Sequence, residues 1–154
     1  MNTSSSEELN SKYRTAVSIE IAVFFITVLL VLLAWFFPFS KGLSVSIDLT
    51  ALWVLILFIA AASFVVRRTL VRWDRLRDQK LLHGTGGLLS FMVRNTLILS
   101  VFALVISTAG FVASIISGDS FDALRAAAVA VIVLAANFPR RAVWLRIVEE
   151  LSDV

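Results

Sequence analysis

The chain has 154 residues, of which 59% are hydrophobic and 16% are charged, with a net charge of +3 and a mean hydropathy of +0.92. A soluble domain is about 45–50% apolar and about 25% charged, and a small domain needs polar residues to cover its large relative surface. These values exclude a soluble globular domain, and the high hydrophobicity excludes a disordered chain. The composition predicts an integral membrane protein.

Stretches without charged residues mark four membrane-spanning helices. A hydrocarbon core about 30 Å thick needs about 20 helical residues. The charge-free stretches cover residues 21–40, 49–66, 95–118 and 126–139. Extending them to spanning length predicts an all-α four-helix transmembrane bundle. Its spans lie at about 16–37, 48–66, 94–117 and 121–138.

The first span is predicted to follow a disordered tail over residues 1–11, a segment rich in Ser and Asn. Its apolar run ends in Trp-Phe-Phe-Pro at residues 35–38, not in small residues. This ending is unlike a signal-peptide cleavage site, so we expect the span to be retained.

Glu20 lies about one turn inside the first span. An intramembrane carboxylate suggests a functional role by default, and Arg94, which enters the third span from the same side, is one candidate partner. The alternative is structural, with a shallow Glu20 carboxylate at the membrane surface and an Arg94 side chain that extends to that surface as well.

The segment 67–93 is predicted to be a basic, largely helical loop. The second span is expected to continue to about Leu82, and Gly84 with the glycines after it is expected to end that helix. Arg68, Arg72 and Arg75 share one side of such a helix, which predicts a basic face on anionic lipid headgroups. The alternative is a docking helix for a partner protein.

The third span carries a stripe of small and hydroxyl-bearing residues, here called the seam, whose members recur at alternating spacings of four and three. Such spacing keeps them on one helix face in a left-handed bundle, and small residues in a membrane let helices approach closely. The seam predicts helix packing, and a narrow polar path is the alternative. Its members are Thr96, Ser100, Ala103, Ser107, Gly110, Ser114 and Ser117.

The fourth span offers small residues that match the seam, and two acidic residues are placed as helix caps. Asp48 precedes the second span and Asp119 the fourth, where a carboxylate can accept from free backbone N–H groups. Asp122 and Arg125 are spaced to form a pair near the start of the fourth span. The residues predicted to face the seam are Ala123, Ala127, Ala130 and Asn137.

Basic residues predict the orientation of the bundle. The segment between the second and third spans holds Arg and Lys at positions 67, 68, 72, 75, 77 and 80, whereas the loops at 38–47 and 118–120 hold only Lys41. By the positive-inside rule, this distribution predicts two antiparallel hairpins with both termini in the cytoplasm. Orientation accounts for the pI of about 10.0, so no nucleic-acid partner is predicted, although such a pI is typical of nucleic-acid binding.

The sequence lacks the residues of common catalytic and metal sites. It has no Cys and one His, whereas zinc and haem sites draw on several such ligands and a Ser-His-Asp arrangement needs His as its base. We therefore predict no catalytic residues, no metal, no cofactor and no enzymatic activity.

Three short motifs carry a resemblance to a known group of proteins. They are Gly-Phe-Val at 110–112, Gly-Asp at 118–119 and Asn-Phe-Pro-Arg-Arg at 137–141. In these, the second half of the chain resembles small four-span proteins of the bacterial inner membrane. The resemblance implies the four-span fold and that location, and it implies no particular activity.

The sequence is compatible with two classes of function. The first is a non-enzymatic interaction protein, either an accessory or assembly subunit of a larger membrane complex or a self-associating homo-oligomer. The second is a small oligomeric transporter or channel, which requires Glu20 and the seam to face a hydrated path.

Overall fold

The computed structural model describes residues 3–36 and 48–151, and side chains from Ser6 onward. The loop predicted at 38–47 lies outside the described residues. The described part is helical, without a β-strand. Its elements in chain order are α1 (Thr3–Phe36), α2 (Leu49–Leu70), α3 (Trp73–Ser117), α4 (Ser120–Asn137) and α5 (Arg141–Glu150).

Four helical segments are long and apolar enough to cross a membrane. They lie in α1, in α2, in α3 and in the stretch from α4 into α5. The prediction of an all-helical chain with four apolar, membrane-crossing helices is confirmed to this extent. The fold is a helical bundle in which α3 packs against α1, α2 and α4.

The predicted caps are confirmed at two helix starts. The carboxylate of Asp48 accepts from the N–H of Thr50 at 2.9 Å, and that of Asp119 accepts from the N–H of Phe121 at 2.9 Å. Between α3 and α4, Gly118 adopts φ 71° and its N–H donates to Ser114 O. Because this left-handed conformation costs a glycine little, α3 can end there and α4 can begin two residues later.

Two clusters of buried apolar side chains hold the helices together. The mid-bundle cluster joins α1, α2, α3 and α4, and the second, here called the end cluster, joins α1, α3 and α5. The mid-bundle cluster comprises Val23, Ile56, Ala60, Ala103, Ile106, Ala126, Ala130, Val133 and Leu134. The end cluster comprises Leu9, Ala16, Leu76, Leu88, Leu89, Met92, Trp144, Ile147, Val148 and Leu151.

The disordered tail predicted for residues 1–11 is wrong from residue 3 onward, because α1 begins at Thr3. Leu9 is only 2% exposed and lies in the end cluster. The Tyr13 hydroxyl donates to Pro139 O at 3.3 Å, and the Tyr13 ring meets Trp144 edge-on. Apolar contacts from α3 and α5 therefore order a segment whose local composition favours disorder.

The predicted continuation of α2 to about Leu82 is also wrong. α2 ends at Leu70, and Arg72 has an extended backbone (φ −62°, ψ 133°) before α3 begins at Trp73. The break turns Leu76 into the end cluster, where it is 2% exposed. Burial of this apolar side chain favours the turn.

The glycine break predicted after Leu82 occurs within α3. Gly84 has φ 68° and ψ −170°, a conformation that only glycine adopts without strain, and it kinks α3 there. The part of α3 before the kink lies outside the predicted third span, and the part after it carries the seam.

Candidate functional site

The seam lies inside the bundle and not on its outer surface. Six of its seven residues are buried, while Ser117, at the end of α3, is exposed. From α1, the Thr27 hydroxyl hydrogen-bonds the Ser107 hydroxyl at 2.9 Å. From α4, Ala126 lies so close to Gly110 that a Cβ added at Gly110 would be 2.0 Å from the Ala126 Cβ. Two neighbouring helices therefore cover the seam.

Most hydroxyls of the seam are satisfied within their own helix. Thr96 donates to Met92 O at 3.2 Å, Ser100 to Thr96 O at 2.9 Å and Ser107 to Ala103 O at 3.0 Å. Donation to the carbonyl four residues earlier satisfies a hydroxyl where no water is present. These bonds, and the contacts that α1 and α4 make with the seam, are typical of a packing interface.

The α4 residues predicted to face the seam are buried, but they do not make the closest contact with it. Ala123, Ala127, Ala130 and Asn137 are all buried, as predicted for residues facing the bundle. The closest approach to Gly110, however, is made by Ala126. The predicted pair of Asp122 with Arg125 forms at 3.2 Å.

Glu20 is buried against the seam with its carboxylate unsatisfied. It is 2% exposed and lies beside Ser100. Neither carboxylate oxygen has a hydrogen-bond partner among the described residues, because the Ser100 hydroxyl donates to Thr96 O. Glu20 also lines a groove of about 260 Å³ between α1 and α4, whose other walls, such as Phe24 and Leu134, are apolar.

The structure does not bring Glu20 and Arg94 together. Arg94 is exposed and borders a different surface groove with Gln79 and His83. Among the described residues, the ion pair that forms is Asp122 with Arg125. Arg94 lies on the outer side of α3, whereas the next two residues, Asn95 and Thr96, are buried.

The basic face is divided between two helices. Arg68, Arg72 and Arg75 are all exposed, but Arg68 lies on α2, Arg72 precedes α3 and Arg75 lies on α3. The prediction that they share one side of a continuous helix is wrong, because the chain turns at Val71 and Arg72. Their exposure at one turn of the chain still leaves them available to solvent or lipid headgroups.

A second polar site, beside Thr96 at the start of the seam, is not among the sequence predictions. Asn95 and Asn137 are buried, 6% and 7% exposed, and both have amide atoms without a hydrogen-bond partner among the described residues. Arg67 Nη1 donates to the carbonyl of Ala136, next to Asn137. The signal in the sequence is an amide near the end of each of two spans, but sequence alone does not show that the two side chains line one cavity.

The described residues contain no group of three or more His, Cys, Asp or Glu side chains placed to hold a metal ion. Comparisons with known protein families, with curated proteins and with solved structures give no significant match. The fold and the two polar sites therefore define the protein by class, as a helical bundle with four helices able to cross a membrane.

Proposed function

We propose that this chain is a non-enzymatic multi-pass protein of the bacterial inner membrane that acts through association. It would serve as an accessory or assembly subunit of a larger membrane complex or as a self-associating bundle. The observation that supports this most directly is that neighbouring helices cover the seam. The Ser107 hydroxyl hydrogen-bonds Thr27 of α1, and Ala126 of α4 packs against Gly110. This cover of Ser107 and Gly110 favours a packing role for the seam over a hydrated path.

The proposed topology is two antiparallel hairpins with both termini in the cytoplasm. The positive-inside rule supports this orientation, since most Lys and Arg lie at the termini and between the second and third predicted spans. In this topology the exposed Arg68, Arg72 and Arg75 meet the anionic headgroups of the cytoplasmic leaflet.

The outer side of α2 is the surface that the proposal assigns to association. Within α2, the buried residues are Ile56, Ala60 and Ser63. The rest of its surface exposes large apolar side chains, among them Leu57 (57%) and Phe58 (71%). Because α2 is the transmembrane helix least covered by its own chain, it offers the most surface to the helices of a partner or of a second copy.

Cysteine cross-linking tests this assignment directly, since the native sequence has no Cys. Leu57→Cys places one thiol on the outer side of α2, and Ile132→Cys, at an exposed position of α4 (63%), is the matched control. In native membranes we expect Leu57→Cys to give a cross-linked species of fixed size, at least several-fold more abundant than with Ile132→Cys. Equal yields from the two variants, or a product that disappears when the protein is diluted with excess lipid, would contradict the association proposal.

The second candidate is a small oligomeric transporter or channel, which the unpartnered carboxyl group of Glu20 favours. A buried carboxyl group beside a hydroxyl and a groove is a group that can bind a proton or cation during transport. Flux through purified protein in liposomes separates the two candidates, with Glu20→Gln as the variant. Gln keeps the shape of Glu and removes its charge.

For the association role, we expect Glu20→Gln to leave ion or proton flux at the background of empty liposomes, as with the native protein. A transporter predicts that native protein carries flux above background and that Glu20→Gln lowers it at least tenfold while the melting temperature is preserved. That second pattern would replace the association proposal with the transport one.

A further inference from the structure

A cavity of about 110 Å³ lies at the end of the bundle where α2 ends and α4 passes into α5. Its inner wall includes the buried side chains of Asn95, Thr96 and Asn137, and its outer wall includes the exposed side chains of Arg67 and Arg140. One water needs about 10–15 Å³ of such volume, so the cavity has room for several water-sized groups. It is a pocket with amides in its floor and cations at its rim, and most of its other lining residues, among them Leu76, Met92 and Trp144, are apolar.

The amide floor lacks partners within the described part of the chain. Asn95 Nδ2 donates to Leu70 O at 3.5 Å, but Asn95 Oδ1 and both polar atoms of Asn137 have no hydrogen bond. Buried polar groups are nearly always satisfied by protein, water or ligand. The floor of the cavity is therefore built for a polar occupant.

The rim fixes the sign of the charge that this occupant carries. Arg67 and Arg140 line the cavity, and no carboxylate does. Neither arginine is in an ion pair among the described residues, where the pair that forms is Asp122 with Arg125. Arg67 gives one N–H to Ala136 O, and a guanidinium has five such donors. Guanidinium groups beside an amide donor suit the oxygens of a phosphate group.

The depth of the cavity indicates where the phosphate comes from. The second predicted span ends beside Arg67, the third begins beside Asn95 and the fourth ends beside Asn137, so three spans meet the membrane surface at this level. Basic pockets between transmembrane helices at this depth bind the headgroups of anionic lipids. Exposed apolar residues at the mouth, Val71 and Phe138, suit the glycerol and upper acyl carbons.

We propose that this cavity binds a phosphate group, presented by an anionic phospholipid of the surrounding leaflet. The Arg67 and Arg140 guanidinium groups and the Asn137 amide would donate to the phosphate oxygens. This site is separate from the exposed face of Arg68, Arg72 and Arg75, and it goes beyond the proposed association role.

Thermal unfolding of the purified full-length chain in a neutral detergent tests the proposal. The probes are dioctanoyl phosphatidylglycerol, dioctanoylglycerol, which lacks the phosphate, and inorganic phosphate. The variant Arg140→Gln removes a cation that lines the cavity, and Arg141→Gln removes the neighbouring cation, which is exposed and does not line it. Asn137→Leu replaces the amide by an apolar side chain of similar size.

We expect phosphatidylglycerol to raise the melting temperature of the native protein and dioctanoylglycerol to leave it unchanged. Arg140→Gln and Asn137→Leu should each raise the apparent Kd for phosphatidylglycerol about tenfold or more, which is the usual effect of losing a hydrogen bond to a charged group. Arg141→Gln should bind as the native protein does. Arg140→Gln also keeps the test decisive if Asn137→Leu does not fold.

Three outcomes would overturn the proposal. Equal affinities for Arg140→Gln and Arg141→Gln would show general surface attraction in place of a site. A melting temperature unaffected by both phosphate sources would show that the cavity does not bind a phosphate group. If inorganic phosphate reproduces the whole shift and Arg140→Gln weakens it, the phosphate site stands and its assignment to a lipid is overturned.

Discussion

Gly110→Leu is expected to prevent α3 from packing against α4, so that the protein fails to accumulate in the membrane. The Cβ of any residue at 110 would lie 2.0 Å from the Ala126 Cβ and 3.4 Å from its Cα. Ala126 cannot rotate away, because its Cβ is attached directly to the α4 backbone, so the helices must separate. Since close approach of small residues is what holds membrane helices together, separation removes the contacts that define the bundle.

The smaller substitution Gly110→Ala gives a measurable version of the same effect. Overpacking a well-packed site costs about 1–3 kcal/mol, while Ala favours a helix over Gly by about 0.5–1 kcal/mol. With about 2–4 °C per kcal/mol for a chain of this size, we expect the melting temperature in detergent to fall by several degrees despite the better helix former. The control is Val112→Leu, two residues further along α3 and 40% exposed, which we expect to change little.

Ser107→Leu provides an independent check on the same interface, from the side of α1. The Ser107 hydroxyl contacts Thr27 at 2.9 Å, and a leucine there would push α1 away. If Gly110→Leu and Ser107→Leu both accumulate and melt as the native protein does, the seam is not the packing interface of the bundle.

Leu9→Ala is expected to release the start of α1 from the rest of the protein. Leu9 is 2% exposed in the end cluster with Leu88 and Leu89, and truncating a buried leucine costs about 2–5 kcal/mol. A loss of 2 kcal/mol corresponds to about thirtyfold faster amide exchange where opening is local. Hydrogen exchange read by mass spectrometry over residues 3–16 measures this change.

The matched control is Leu82→Ala, since Leu82 is 75% exposed and its truncation leaves no cavity. We expect its exchange pattern to equal that of the native protein. Complete amide exchange of residues 3–11 within seconds in the native protein would instead show that this segment is disordered, as its composition suggests.

Local sequence signals were sufficient to locate the four apolar helices and the starts of α2 and α4. Runs without charge located the four apolar helices, because burial of a charge in hydrocarbon is costly wherever it occurs along the chain. Asp48 and Asp119 marked helix starts correctly, since a cap bonds the backbone two residues away. The spacing of the seam likewise identified the buried side of α3, because helical periodicity depends on neighbours in sequence alone.

Contacts between distant residues decided what local signals could not. Residues 1–11 have a polar composition, yet Leu9 meets leucines about 80 positions away and the segment from Thr3 is helical. The turn at Arg72 depends on where Leu76 becomes buried, which no local pattern encodes. Glu20 and Arg94 are not paired, and the exposed Arg94 matches the alternative in which its side chain extends to the surface.

Hydropathy along the chain was enough to identify four helices able to cross a membrane, and periodicity was enough to identify the buried side of α3. Which helices cover that side depends on the packed bundle, in which Thr27 contacts Ser107 and Ala126 packs against Gly110. The tertiary structure alone also brought Asn95, Asn137, Arg67 and Arg140 around one cavity. Hydropathy and helix period are properties of neighbouring residues, whereas a cavity depends on the relative position of helices that are distant in the chain.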